Sequence, residues 1–370
     1  PYVAGASALI SQYLEENYPD ITGREKTLMI KNRLMSTAFP IKHPDDETLE
    51  YSPRQQGAGL IKVDKAITTN AIVTSENGVN GIELGSIGNT KEFTFNIENF
   101  GNEPLTFELS ASKVITDARG PIPEEFSGSD YGFPLDKEYN QLKPAEVEGA
   151  AVTFNENQIT VNSGETVQVT ATLNIPETTR DNIFTDGFIY LNSKVEGQPD
   201  LVIPYIGFYG DWDSLNIVDP QAGTDEAYYD FTCLATRFLD LVNYQEVTLI
   251  LGSYEDENGK MRINNDLVSF APQGRHSVNY RTLIPVVSLL RNAKDLELNI
   301  LDENMVKLRT IARERLLRKS GWTVKAPYYV TSDTWVWDGL LYNPQAGYME
   351  QAPEGQYYLQ VRTRIEGSDT

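Results

Sequence analysis

Near Ala71 the apolar residues of this chain change their period, and that switch limits the folds open to it. Before it, Val3, Ala6, Leu9, Ile10, Tyr13 and Leu14 recur at spacings of three and four, which marks one face of a helix. After it, Phe93, Phe95 and Ile97 alternate with Thr94, Asn96 and Glu98, the two-residue period of a half-buried strand. The spacing predicts one helix from near Pro1 to about Tyr18, stopped by Pro19-Asp20. It predicts a second from about Arg24 to Ser36, with Thr22 or Gly23 as its cap. A proline heading the first helix is well placed, because its missing N–H would find no partner there. Residues 1–70 are too few for a doubly wound α/β domain and are expected to be its closing piece, with an apolar helix face left uncovered.

The strand pattern continues through Leu105, Phe107 and Leu109 after the turn Asn99-Phe100-Gly101-Asn102. It resumes in Val167, Val169, Ala171 and Leu173 after Ser163-Gly164-Glu165, then in Gly187 to Leu191 and Leu201 to Phe208. Strands of this length with turns between them predict a β-sandwich of the fibronectin type III kind over residues 71–210. A long polar interval, Ser112 to Gly149, is expected to be a decorated loop of that sandwich. A second β-rich unit spans 211–370. Val247 to Leu251 enters a hairpin turn at Glu257-Asn258-Gly259-Lys260, Leu296 to Leu301 alternates, and Tyr357 to Val361 forms a late strand. The expected class is mainly β: two fibronectin type III-like sandwiches, 71–210 and 211–370, preceded by a helical remnant of an α/β domain, 1–70.

Composition narrows the function. The chain carries a net charge of −22, and residues 71–210 hold −14 of it, which repels phosphate backbones and disfavours nucleic acid as a partner. No apolar run approaches the ~20 residues that a membrane-spanning helix needs. Cys233 is the only cysteine, so no disulfide forms within the chain, and its apolar setting reads as a small buried hydrophobe.

Three short strings in order carry a resemblance. Pro1-Tyr2-Val3-Ala4-Gly5 resembles the end of the serine motif of subtilisin-like proteases. Lys31-Asn32-Arg33-Leu34-Met35-Ser36-Thr37-Ala38 resembles the helix that follows, and Gln56-Gly57-Ala58-Gly59-Leu60-Ile61-Lys62-Val63 the segment that closes the catalytic domain. Further on, Leu201 to Trp212 and Tyr280 to Leu301 are similar to the bacterial cell-envelope proteinases, or lactocepins, and to the related streptococcal complement-cleaving peptidase. The resemblance implies that the nucleophilic serine lies four residues before Pro1, with the other catalytic residues earlier still. It also implies that the first helix points its positive N-terminal end towards that serine.

Within the chain itself, serine-protease chemistry has no candidates. Of the two histidines, His43 sits in the polar string Lys42-His43-Pro44-Asp45-Asp46, read as a surface loop, and His276 in Gly274-Arg275-His276-Ser277; neither matches a catalytic position. Two distant histidines and one cysteine make no zinc site, and Asp256, Glu257 and Asn258 lack the spacing of a calcium loop and read as a hairpin tip. The aromatic cluster Trp335, Trp337, Tyr342, Tyr348, Tyr357 and Tyr358 invites a sugar-stacking role, but packing within a sandwich is favoured. Lys307, Arg309, Arg313, Arg315, Arg318 and Lys319 form the one basic run and read as a solvated strand end and loop, with contact to an anionic wall polymer as the sharper alternative.

The resemblance implies a secreted, cell-wall-associated serine endopeptidase of a Gram-positive bacterium that acts on extracellular proteins. This segment, without a triad, cofactor or metal, is expected to be an inactive scaffold or substrate exosite, and calcium is left to the parent protein. The competing class is a non-enzymatic adhesion module.

Overall fold

The computed structural model describes residues 1–44, 46–121, 140–240, 245–272, 282–322, 327–328 and 334–365. They form two compact units that divide between Trp212 and Asp213.

The first unit opens with α1 (Tyr2–Asn17) and α2 (Gly23–Ser36). Ala6, Ile10 and Leu14 of α1 are buried against Leu34 of α2 and Ala66 of α4 (Val63–Thr68). Thr22 caps α2 in extended geometry, but its hydroxyl makes no capping bond; the helix start is held by the backbone. Between α2 and α4 run β1 (Lys42–His43), β2 (Asp46–Glu50) and the single turn α3 (Pro53–Gln56), whose Arg54 N–H donates to the Ser52 hydroxyl at 3.1 Å. His43 is not in a surface loop. It pairs across to β2 and is buried, its ring 4.9 Å from that of Tyr51.

The sandwich follows. One sheet has four strands in the order β3 (Ala71–Ser75), β5 (Thr90–Asn99), β11 (Thr166–Asn174) and β9 (Ala151–Phe154). The larger one runs β10 (Gln158–Val161), β6 (Leu105–Ala111), β12 (Ile183–Ser193), β13 (Leu201–Tyr209) and β4 (Ile82–Ile87). Here β7 (Ile115–Pro121) joins β12, and β8 (Asn140–Glu146) joins β7. Phe93, Phe95 and Ile97 meet Phe107, Leu109, Ile189 and Ile203 in the core, as the alternation requires. The turn at Asn99 does not close a hairpin; it carries the chain from the smaller sheet to the larger. The Asn99 side chain holds it, accepting from Gly101 N (2.9 Å) and donating to the carbonyls of Glu103 and Val161 (2.8 and 3.0 Å). The ends of the interval Ser112–Gly149 are strands, not loop, because Val114, Ile115 and Val147 reach the core; its centre lies outside the described residues.

Leu201 to Phe208 reads as an unbroken apolar run because β13 is buried on both faces. Leu201, Ile203 and Tyr205 fill the sandwich, while the other face lies under the helical segment, against α2 and α3.

In the second unit, β14 (Cys233–Asp240) lies between β15 (Gln245–Ile250) and β18 (Ile284–Val286). The expected hairpin is β16 (Ser253–Glu255) with β17 (Met261–Ile263). A second three-stranded sheet places β19 (Ala293–Leu301) between β20 (Lys307–Leu317) and β25 (Tyr358–Arg364). The pairs β21 (Gly321–Trp322) with β22 (Pro327–Tyr328), and β23 (Leu340–Asn343) with β24 (Tyr348–Gln351), complete it. Leu296 and Leu298 turn inward onto Trp335, and Trp337 packs edge-on against Phe270 and Tyr357 at 5.1 and 5.2 Å. With Trp335 and Trp337 buried, the aromatic cluster is centred on packing, while Tyr342, Tyr348 and Tyr358 stand exposed. The basic run Lys307–Leu317 is a full strand rather than a strand end.

Candidate functional site: the seam between helices and sandwich

The helical segment and the sandwich meet in a seam that begins where two extended stretches lie side by side. On the outer face of β12, Phe184, Asp186 and Tyr190 project at even positions, and Glu50, Ser52 and Arg54 answer them from the chain between β2 and α3. Tyr190 donates to Glu50 Oε1 at 3.0 Å. Ser52 Oγ and Arg54 Nε both donate to Asp186 Oδ2, at 2.7 and 2.8 Å. Arg54 spans onward to Asp117 with a two-pronged fork (2.8 and 2.9 Å), and its guanidinium lies 4.3 Å from the centre of the Phe184 ring. Asp186 is fully buried, and burial pushes its carboxyl above the usual range despite the pull of Arg54. Burial likewise pushes the Tyr190 and Tyr205 hydroxyls up.

The second part of the seam is built by the string Lys31 to Ala38. Asn80, in the connection between β3 and β4, donates from its amide nitrogen to Val202 O (2.8 Å), Val73 O (3.0 Å) and Ser36 Oγ (3.2 Å). Its backbone N–H donates to Asn32 Oδ1 at 3.1 Å, and Asn32 returns a bond to Gly78 O at 2.9 Å. Ser36 Oγ accepts from Val73 N at 3.1 Å. Asn32 and Ser36 therefore face away from the helical core and lock α2 onto the sandwich; four residues apart, they share a helix face.

Arg33 points the other way and is fully buried without a carboxylate partner. Its Nη1 donates to the carbonyls of Ala66 and Ile67 at the end of α4 (2.9 and 3.2 Å). The charge rests on the rings of Phe100, Tyr13 and Tyr18 at 4.6, 5.3 and 5.7 Å. Burial lowers its pKa, and the π faces with the helix-end carbonyls hold the cation in place. Gln198 adds a last contact, accepting from Asn70 N at 2.9 Å and donating to Thr69 Oγ1 at 3.0 Å.

Beside the seam the helical segment carries an apolar groove of 410 Å³, lined by Val3, Ile30, Leu34, Met35, Ala58 and Ile61. Tyr2, Val3, Leu9, Phe39 and Leu60 are exposed nearby along the same segment. Of the apolar face that the sequence predicts for the first helix, Val3 and Leu9 stay uncovered, whereas Ala6, Ile10 and Leu14 are covered by α2 and α4.

The remaining candidates are scattered. His276 lies outside the described residues, and His43 is bound into β1. Cys233 is free and buried, its thiol pushed up to about 11 by burial. Asp256 turns the β16–β17 hairpin by accepting from Asn258 N and Lys260 N and pairs with Arg262 at 3.0 Å, so its oxygens are already engaged. Among the described residues no three His, Cys, Asp or Glu side chains converge on a point that could hold a metal ion. Arg54, Asp186, Asn80 and Gln198 were not singled out by sequence, since each is polar in a context with no motif; the sole hint was a charged Asp186 inside an apolar strand.

A sandwich of two antiparallel sheets with one parallel edge pair, joined side-on to a helical segment, has the architecture of a fibronectin type III-like module. The family model for an Fn3-like domain matches residues 82–206. Along its whole length the chain is 28% identical over 384 residues to the PI-type proteinase of Lactococcus lactis subsp. cremoris, covering 19% of that protein. It is also 28% identical over 385 residues to the PII-type proteinase of Lacticaseibacillus paracasei, again 19% of that protein. A C5a peptidase of Streptococcus pyogenes serotype M6 is 27% identical over 227 residues, which covers 59% of this chain and 17% of the peptidase. The resemblance to cell-envelope proteinases read from the motifs is thus found along the whole of this chain, and that to the streptococcal peptidase over 59% of it. The chain spans about a fifth of the length of these curated relatives.

Proposed function

We propose that this chain is the brace between the catalytic domain and the stalk of a secreted, wall-associated, subtilisin-like serine endopeptidase that cuts extracellular proteins through an acyl-enzyme. The observation that carries this reading is the similarity to named proteinases over the entire chain. In this reading residues 1–70 are the last piece of the peptidase domain, 71–210 and 211–370 are two sandwiches, and the apolar groove along α1 and α2 receives the rest of the catalytic domain. The nucleophile stands four residues before Pro1, the chain alone is inert, and any calcium belongs to the parent.

The seam then has a task. Subtilisin-type catalysis depends on the helix behind the serine keeping its backbone donors on the developing oxyanion. Asn32, Ser36 and Arg54 fix the helical segment to the sandwich, so α1 is held from behind as well as by its own domain. The test is a longer protein that includes the upstream segment, probed with a fluorophosphonate that labels activated serines. Labelling and protein hydrolysis that both vanish when the serine four residues before Pro1 becomes alanine are expected. A parent that has no serine there, or is never labelled, sinks the reading and leaves a binding module.

A further inference from the structure

The sheet of β19, β20 and β25 turns Leu296 and Leu298 inward, so its other face presents Asp295 and Glu297 from the central strand, with Asn299 on the same side but buried by its bonds to Thr310 and Gln360. Their cross-strand neighbours form rows. Asp295 lies between Arg315 and Arg364, Glu297 between Arg313 and Arg362, and Asn299 between Thr310 and Gln360. Each row with a carboxylate is therefore cation, anion, cation, and Lys307 adds a further cation by reaching Glu297 at 3.3 Å. Five cationic side chains thus share one face with two carboxylates, in a chain whose net charge is −22.

The carboxylates also orient the guanidinium groups. Arg313 is tethered through Nε to Glu297 at 3.0 Å and Arg315 through Nε to Asp295 at 3.3 Å. Among the described residues their terminal nitrogens make no hydrogen bond, and the side chains are 70% and 74% exposed. Arg362 is exposed and forms no ion pair among the described residues. A guanidinium held at Nε and open at its fork is set to grip an external oxyanion.

We propose that this sheet face is a docking surface for a linear polyol-phosphate chain, a flexible polyanion with one phosphodiester per repeat. Successive rows on one sheet face are about 6.8 Å apart, close to the ~6–7 Å between phosphates of an extended phosphodiester chain. An acidic peptide fits less well: laid across a sheet face, its amides would find no backbone partners, which lie at sheet edges. A nucleic acid would bring bases that need rings to stack on, and these rows offer Tyr358 at one end. The inference is independent of the protease reading.

The test uses the whole chain and an end-labelled synthetic glycerol-phosphate oligomer of about eight units, with binding followed by anisotropy against salt. Expected are saturable binding at low salt, a log–log salt slope of roughly −2 to −3, and at least a tenfold loss in R313Q/R315Q. R362Q, on the opposite flank, should also weaken binding, which keeps the proposal testable should the double variant unfold. K91Q/R180Q, the same charge change on the sandwich, should bind normally. No binding at low salt, equal loss in K91Q/R180Q, or oligothymidylate or polyglutamate of equal charge binding as tightly would overturn the proposal.

Discussion

At the scale of single residues, the buried pair in the seam gives the sharpest expectation. Asp186 has a folded-state pKa raised above its ordinary 3.8 by burial. Its carboxyl therefore holds a proton more readily in the folded chain than in the unfolded one. Its contribution to stability is fullest below the unfolded pKa and is lost as pH rises through the folded value. Arg54 limits that loss. Arg54→Met should cost about 3–5 kcal/mol near pH 7.5, by leaving a buried carboxylate without its cation. At pH 5 the cost should be smaller, because the freed Asp186 then takes up a proton. Denaturant titrations of both proteins at the two pH values decide this, and an equal loss at both would refute it. Arg33 makes a contrasting case: its charge has no anion to orphan, so Arg33→Met should cost less than Arg33→Ala, which also opens a cavity worth about 2–4 kcal/mol. The same denaturant curves rank the two.

At the scale of elements, the closing motif explains its own glycines. Gly59 has φ +117°, and a Cβ there would sit 2.4 Å from the carbonyl oxygen of Phe39. That contact lies inside the reciprocal Phe39–Leu60 bridge that ties the end of α2 to the approach to α4. Gly59→Ala should destabilise the first unit by roughly 2–4 kcal/mol, read as a lowered melting temperature, while Gly57→Ala, with open space around it, should cost less. Much of this was legible. Both helices, the inward phenylalanines of β5 and the hairpin at Gly259 follow from period and turn chemistry. What escaped depended on tertiary partners. His43 sits among charged residues in sequence, and only in the fold does the Tyr51 ring come to lie against it. Ser112 to Gly149 reads as loop because Val114, Ile115 and Val147 are too sparse to mark strands until β12 offers an edge. The seam was invisible because Asn80, Arg54 and Asp186 belong to three separate stretches that folding alone brings together.

At the scale of the whole molecule, the number and burial of seam bonds make the helical segment and the first sandwich one cooperative unit. Native-state hydrogen exchange should show α2 amides protected about as strongly as those of β5, and Asn80→Ala should lower both together. Protection of β5 with free exchange in α2 would instead mean a loosely docked appendage. The central carboxylates of β19 act in the opposite sense to Asp186. Glu297 is held down to about 2, chiefly by the Asn299 side chain and then by Arg313 and Lys307, and Asp295 is lowered chiefly by Arg364. Their contribution is present above the unfolded carboxylate pKa and fades as pH falls through the folded values. Glu297→Gln should therefore flatten the acid limb of the stability curve below about pH 4.5.

The parallel pairing of β4 with β13 has a mechanical consequence. The chain enters the sandwich through β3 and leaves it from β13; once β3 has given way, a pull reaches the start of β4 and the end of β13, two strands that run side by side in the same direction. Tension drawn through the module pulls their far ends apart lengthwise, so the ladder is loaded in shear. Its bonds must give way together rather than one after another, whereas an antiparallel edge pair pulled from its open end would unzip. A pair of strands built this way resists a pull along its length.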